Sequence, residues 1–163
     1  MNAVPISEMR GAAVLCMLSA FAFCATALAA DPAQELTQTL RDYERAWSGH
    51  DAQAIANFYF EPAMRISKGG PIIRATRADQ QSFFDGYLHA MIARGYERSE
   101  WESLETRLLD AQTAIASGIS VRYRADGSVL ERVGVTYELW RAAEGWKIFL
   151  SATHAPQSVL QFR

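Results

Sequence analysis

The chain predicts an α+β domain: a mostly antiparallel sheet covered on one face by three N-terminal helices. Three observations predict it. Apolar residues recur at helical spacing three times before residue 95. Beyond that point the apolar period drops to two and holds through four long segments. Each of those segments has one apolar face, so the sheet must pack on one side, and the helices are the elements available to cover it.

In chain order, Asp31 and Pro32 open the first helix, Asp as N-cap and Pro at the first helical position. Leu36, Leu40, Tyr43 and Trp47 form its apolar stripe, and Gly49 ends it. Asp51 caps a short second helix carrying Ile55, Phe58 and Tyr59, which Pro62 is expected to stop. Residues 63–67 read as an extended piece in which Met64 and Ile66 alternate with Arg65 and Ser67. Gly69, Gly70 and Pro71 turn the chain into a brief return strand at Ile72 and Ile73. Thr76 and Asp79 have capping-box spacing and introduce the third helix, with Phe84, Tyr87, Leu88 and Met91 on one face and Gly95 at its end. Residues 99–109, 113–124, 129–141 and 146–155 read as four strands, with Asp126 and Gly127 forming the turn between the second and third.

Residues 1–29 read as a cleaved signal peptide and 30–163 as the mature domain. Arg10 precedes an uncharged run, residues 11–30, that ends in Ala27, Leu28 and Ala29, a small-x-small cleavage signal. Met1 and Met9 are alternative starts, Met9 giving the more typical basic leader. The expected location is therefore the periplasm or exterior of a bacterium, with no stable membrane anchor after cleavage. Both cysteines, Cys16 and Cys24, lie in the leader, so the mature domain has no disulfide, cysteine nucleophile or thiolate metal site. A net charge of -2 without a Lys/Arg-rich face argues against nucleic acid as a partner.

Two sets of residues carry a resemblance. Tyr43, Glu44, Arg45, Ala46 and Trp47 are followed by Asp51, Ala52, Gln53, Ala54 and Ile55. Later come Thr136, Tyr137, Glu138, Leu139 and Trp140, with Gly145, Trp146, Lys147 and Ile148. Together with the order of elements, these residues resemble the nuclear transport factor 2-like superfamily, which includes SnoaL-like polyketide cyclases and ketosteroid isomerases. Arg122, Asp126, Gly127, Gly145 and Trp146 look closest to an uncharacterised exported branch. The likeness spans about residues 32–155. It implies a strongly curved sheet wrapped around the helices as a cone-shaped α+β barrel that opens into an apolar cavity between helices and sheet, and often a homodimer through the outer sheet face, where parity places Trp140. It implies no particular reaction.

The superfamily's isomerases use a carboxylate base after the first strand, a helix tyrosine and a neutral acid on a late strand. Laid on this chain, the helix tyrosine falls on Tyr43, the late acid on Tyr137 and the base on Ser67. Ser67 cannot abstract a proton unaided at neutral pH. His154, which shares parity with Trp146, Ile148, Leu150 and Ala152, is expected to point inward near the mouth. His50 is placed in a turn and His89 on a polar helix face. No histidine pair has metal-ligand spacing, so neither metal nor cofactor is expected.

The leading expectation is an exported domain that binds a small hydrophobic molecule. Trp47, Tyr59, Phe84 and Tyr87 line its pocket, with Tyr43, Tyr137 and His154 as its polar groups. Tyr43 and Tyr137 also read as plain core, and His154 as a satisfied rim histidine. One alternative is an isomerase, cyclase or dehydratase acting on an enolisable hydrophobic substrate through His154 and Tyr137. A second is a homodimeric interaction module. The residues alone do not decide whether the domain is catalytic. Arg65 reads as solvated if Met64 and Ile66 face the core, or as an anion contact if the parity is reversed; the outward reading is taken.

Overall fold

Side-chain caps start each α-helix among the described residues. In the computed structural model, which describes residues 31–162, the Asp31 carboxylate accepts from the Ala33 amide at the head of α1 (Pro32–Ser48). Asp51 does the same for Ala54 in α2 (Ala52–Asn57). A full capping box between Thr76 and Asp79 starts α3 (Arg77–Ala93). Each cap satisfies an amide that the first turn would leave bare, an effect of about 1 kcal/mol. The expected leader, the choice between Met1 and Met9, and Cys16 and Cys24 lie outside the described residues.

Six strands complete the domain: β1 (Tyr59–Ser67), β2 (Gly70–Arg74), β3 (Arg98–Leu108), β4 (Thr113–Tyr123), β5 (Val129–Ala142) and β6 (Gly145–His154). They form one sheet in the order β2-β1-β6-β5-β4-β3. All neighbours are antiparallel except β1 and β6, which run parallel. The cone does not close as a barrel, since β2 and β3 remain its edges. The ladder is interrupted at 59–64 of β1, 101–103 of β3, 138–139 of β5 opposite β6, and 122–123 of β4. Such irregularities bend strands and increase twist, which lets the sheet wrap the helices. At the β3 irregularity the Ser103 carbonyl comes so near β4 that a Cβ on Gly118 would lie 2.2 Å from it. Only glycine admits that approach.

Two sequence expectations are corrected here. The second helix does not carry Tyr59, and Pro62 does not stop it. Residue 61, preceding a proline, is driven away from helical geometry, so the chain is already extended before Pro62. Tyr59 pairs with Ile148 of β6. The strand therefore begins four residues before the piece the alternation suggested, and its inward residues are Tyr59, Ala63 and Arg65 rather than Met64 and Ile66. Arg65 faces inward, against the outward reading. Read from Tyr59 the parity is unambiguous; read from Ala63 the apolar Met64 and Ile66 mislead, because they lie on the outer face.

The second correction concerns β6. Leu139 pairs with Ile148, but Glu138 pairs with Leu150, leaving Phe149 as one extra residue. A bulge of one residue exchanges the two faces of everything beyond it. Trp146 and Ile148 point inward as expected, but beyond the bulge Ser151 and Thr153 do, and His154 is turned to the outer side.

The dry part of the core gathers Leu36, Leu40, Ile55, Leu139, Trp146 and Ile148, with Ala114 and Ala116 opposite them. Full burial of each aliphatic side chain stabilises the fold by roughly 1.5–3 kcal/mol. No helix among the described residues is long and apolar enough to cross a membrane.

Candidate functional site

Continuing along α1, the buried stripe changes character from Leu36 and Leu40 to Tyr43, Glu44 and Trp47. The inward face of β4 changes in the same direction, from Ala114, Ala116 and Gly118 to Ser120 and Arg122. Where the two polar halves face each other the interior is not filled. A cavity remains, walled by Tyr43, Trp47, Tyr59, Phe84, Tyr87 and Tyr137, with Glu44, Ser120, Arg122, Ser151 and Arg65 among its polar groups. The space open to a water centre is about 40 Å³, room for about three waters. All free space between the walls and out to the mouth amounts to about 490 Å³.

The rings meet edge to face: Tyr43 with Trp47 at 6.2 Å, with Tyr59 at 6.0 Å and with Tyr137 at 5.8 Å, and Trp47 with Phe84 at 5.4 Å. Edge-to-face packing suits their quadrupoles and fixes the walls. The Tyr43 and Tyr59 hydroxyls share a hydrogen bond of 2.9 Å. Burial pushes the pKa of Tyr43, Tyr59 and Tyr137 upward, so all three are neutral hydroxyls at physiological pH.

Glu44 is the group that the sequence analysis passed over. It is only 7% exposed, and its Oε1 accepts a 2.8 Å bond from Ser120 Oγ. Burial pushes its pKa up to about 7, with the Ser120 bond and the Arg122 charge holding it back from going higher. Its signal was present in the sequence, since Glu44 stands four residues after Leu40 and three before Trp47, inside the apolar stripe. Arg122, 8% exposed, pairs with Glu131, donates to the Tyr87 hydroxyl at 3.1 Å and lies 5.7 Å from the Trp47 ring. Burial opposes its charge, but Tyr87 and Glu131 outweigh that and raise its pKa. Arg94 supports Glu131 from the other side at 3.1 Å. Ser151, 3% exposed, has a hydroxyl on the cavity wall near enough to Tyr59 to act against the rise in its pKa, yet makes no hydrogen bond of regular geometry.

Six of the seven residues expected at a pocket therefore share this one cavity: Tyr43, Trp47, Tyr59, Phe84, Tyr87 and Tyr137. Arg65 joins them. His154 does not. Its Nε2 is 2.9 Å from Thr136 Oγ1 on the outer face, and Thr136 in turn bonds Ser117, which accepts the Leu160 amide at 2.9 Å. That chain of bonds fastens the C-terminal segment to the sheet, so the imidazole serves packing there. Ser67, the position of the isomerase base, ends β1 beside Gly70 and is not among the cavity's walls. His50 bonds the Glu97 carbonyl at 2.8 Å and His89 is exposed. Among the described residues no three His, Asp or Glu side chains gather where they could hold a metal ion. On the outer face Phe60, Pro62, Trp140 and Phe149 form an apolar depression.

The arrangement offers a neutral-to-anionic carboxyl, buried hydroxyl donors and guanidinium charge around an aromatic hollow. Comparison with known proteins places this geometry. A family model described as NTF2-like protein (DUF6841) matches residues 34–156. No curated protein matches the chain. Among solved structures, an NTF2-like protein with a cystatin-like fold from Novosphingobium aromaticivorans superposes with a TM-score of 0.65 at 20% identity, covering 79% of this chain and 88% of that one. An NTF-2 like protein of unknown function from Shewanella oneidensis gives 0.62 at 19% identity, over 76% of this chain and 98% of that one. A candidate dehydratase of the NTF2-like family from Streptomyces avermitilis gives 0.58 at 10% identity, over 74% and 93%. At these identities the likeness is one of fold.

Proposed function

We propose that this chain, a member of this NTF2-like family, whose fold alone does not set a function, is an exported domain that binds a small organic molecule in the aromatic cavity. One observation carries the reading. Among the described residues the buried charges on the cavity's walls, Glu44 and Arg122, and the buried Ser151 hydroxyl sit where aliphatic residues would have made a tighter core. Burying charge is costly even with the partners that Glu44 and Arg122 have, and a ligand with matching polar atoms adds to that compensation and serves Ser151. The enclosed space suits only a few heavy atoms, so the ligand's remainder occupies the mouth. Trp47 reports on it: titration of the purified protein with small aromatic and aliphatic compounds should shift its fluorescence and raise the melting temperature. A panel that moves neither overturns the reading. Export is tested separately by N-terminal sequencing of protein recovered from the periplasm, which should begin at Ala30.

A second reading, an acid–base enzyme, is favoured by Glu44. A carboxyl that exchanges its proton near pH 7 on the wall of a cavity is suited to moving a proton, with the neutral Tyr43 and Tyr137 hydroxyls as donors to a developing oxyanion. Glu44 thus takes the role that His154, on the outer face, cannot fill. Small ketones incubated with the protein in D2O should exchange their α-protons. Glu44→Gln should slow that exchange at least about tenfold. Exchange at the rate of buffer alone removes the enzymatic reading and leaves the binding reading intact.

A further inference from the structure

The β1–β2 hairpin brings two guanidinium groups to one face, Arg65 on the cavity wall and Arg74 next to it over the Phe83 ring. Ala63 pairs with Arg74, and Arg65 stands two residues further along β1, so both arginines project from the same face. They share an aromatic rest: Arg65 lies 5.0 Å from the Phe83 ring and 5.2 Å from Tyr87, and Arg74 lies 3.6 Å from Phe83. Seven other arginines, Arg45, Arg77, Arg94, Arg98, Arg122, Arg132 and Arg141, pair with a carboxylate, while Arg41 and Arg124, which also do not, are not on the cavity's walls. Among the described residues neither Arg65 nor Arg74 has one within ion-pair distance. The acid acting on Arg74 is Asp79, whose carboxylate is engaged in the α3 capping box. Burial first, and then the charge of Arg65, work against protonated Arg74. Two like charges side by side without a counter-ion form an anion site. The neighbour of Arg65 on β6 is Ser151, the buried hydroxyl without a hydrogen bond of regular geometry.

We propose that the cavity's ligand is a small carboxylic acid with an apolar body, its carboxylate held by Arg65 and Arg74 at the mouth. The Ser151 hydroxyl donates to the same carboxylate or to an oxygen beside it. This assignment rests on the binding reading above and adds the chemical class. It also fixes the orientation. At the deep end Arg122 is already paired with Glu131, and Glu44 accepts hydrogen bonds and turns anionic above about pH 7, so that end faces the apolar or hydroxylated end of the ligand. The planar guanidinium fork matches a carboxylate in two parallel bonds, and its stacking on Phe83 limits the freedom lost on binding.

The test compares acids with their amides. Acetate, butyrate, benzoate and 4-hydroxybenzoate, each beside the corresponding amide, are titrated into the purified protein by calorimetry and thermal shift at two salt concentrations. Acids should bind at least about tenfold more tightly than amides, as charge-assisted bonds imply, and higher salt should narrow the gap. Arg65→Met and Arg74→Met should each remove about tenfold from the acids and a clearly smaller factor from the amides, so that the acid–amide gap narrows, while Ser151→Ala gives a smaller loss. Should a methionine variant melt early, the acid–amide gap of the parent protein still decides. Amides that bind as well as acids overturn the anion site while leaving the cavity reading in place. No binding by either class overturns both. Inorganic phosphate that binds as tightly as benzoate would show a bare anion site and sink the carboxylic-acid assignment.

Discussion

The two ends of α1 bury one continuous stripe against one sheet, yet they produce different interiors. Around Leu36 and Leu40 the facing residues are Ala114, Ala116, Leu139 and Ile148, all closed to solvent. Around Tyr43, Glu44 and Trp47 they are Ser120, Arg122, Val135 and Tyr137, and space is left between them. Aliphatic chains have many low-energy ways to interdigitate, so they fill the narrow end. Rigid rings meeting edge to face, and polar groups that need directed partners, cannot all be satisfied and close-packed together. The hollow follows from side-chain chemistry changing part-way along the same helix and strand.

The largest effect should come from breaking the dry end. Leu40→Ala should lower unfolding free energy by about 2–5 kcal/mol in denaturant titration, because the site is fully enclosed and cannot collapse. A small loss would mean that the dry end is looser than its burial implies. At the wet end, Arg122→Met leaves Glu131 and the Tyr87 hydroxyl without their shared donor and should lower stability by roughly 2–4 kcal/mol. It should also raise the Glu44 pKa further, since Arg122 now lowers it. Carboxyl titration by NMR reads that directly.

Glu44 separates the ends by pH. Below pH 4.5 its carboxyl is protonated in folded and unfolded chains alike. Between there and about pH 7 only the folded chain keeps the proton, so this group's contribution to stability falls as pH rises. The loss across that window should be roughly 3–4 kcal/mol, since one pKa unit is about 1.4 kcal/mol. Glu44→Gln should abolish that slope, and an unchanged slope would exclude Glu44 as its source. Glu131, whose pKa burial raises but Arg122 and Arg94 lower more, acts in the opposite sense and below pH 4.5, so the two are distinguishable. The smallest effect is expected for Tyr43→Phe, which removes the shared hydroxyl bond with Tyr59 at about 1 kcal/mol. A neutral result would indicate that water already serves Tyr59.

The two miscounted faces have one cause. In β1 the alternation of Met64 and Ile66 suggested an inward pair, but outer-face apolar residues alternate with the same period, and only pairing with β6 shows where the strand starts. In β6 the extra residue Phe149 has no signature of its own among Lys147, Ile148, Phe149 and Leu150, and it moved His154 out of the hollow. Glu44 was legible in principle. A carboxylate at core spacing on an amphipathic helix marks either a surface edge or a buried site, and the difference lies in what faces it.

Local chemistry in the sequence determined the helices, their caps, the four long strands and the aromatic residues that meet in the interior, because capping, periodicity and turns act over a few neighbouring residues. Which side of the sheet Arg65, Ser151 and His154 occupy, and that Glu44 meets Ser120 and Arg122, was decided by the tertiary structure alone. Those outcomes depend on bulges and on partners many residues away, and a shift of one residue reverses each of the first three.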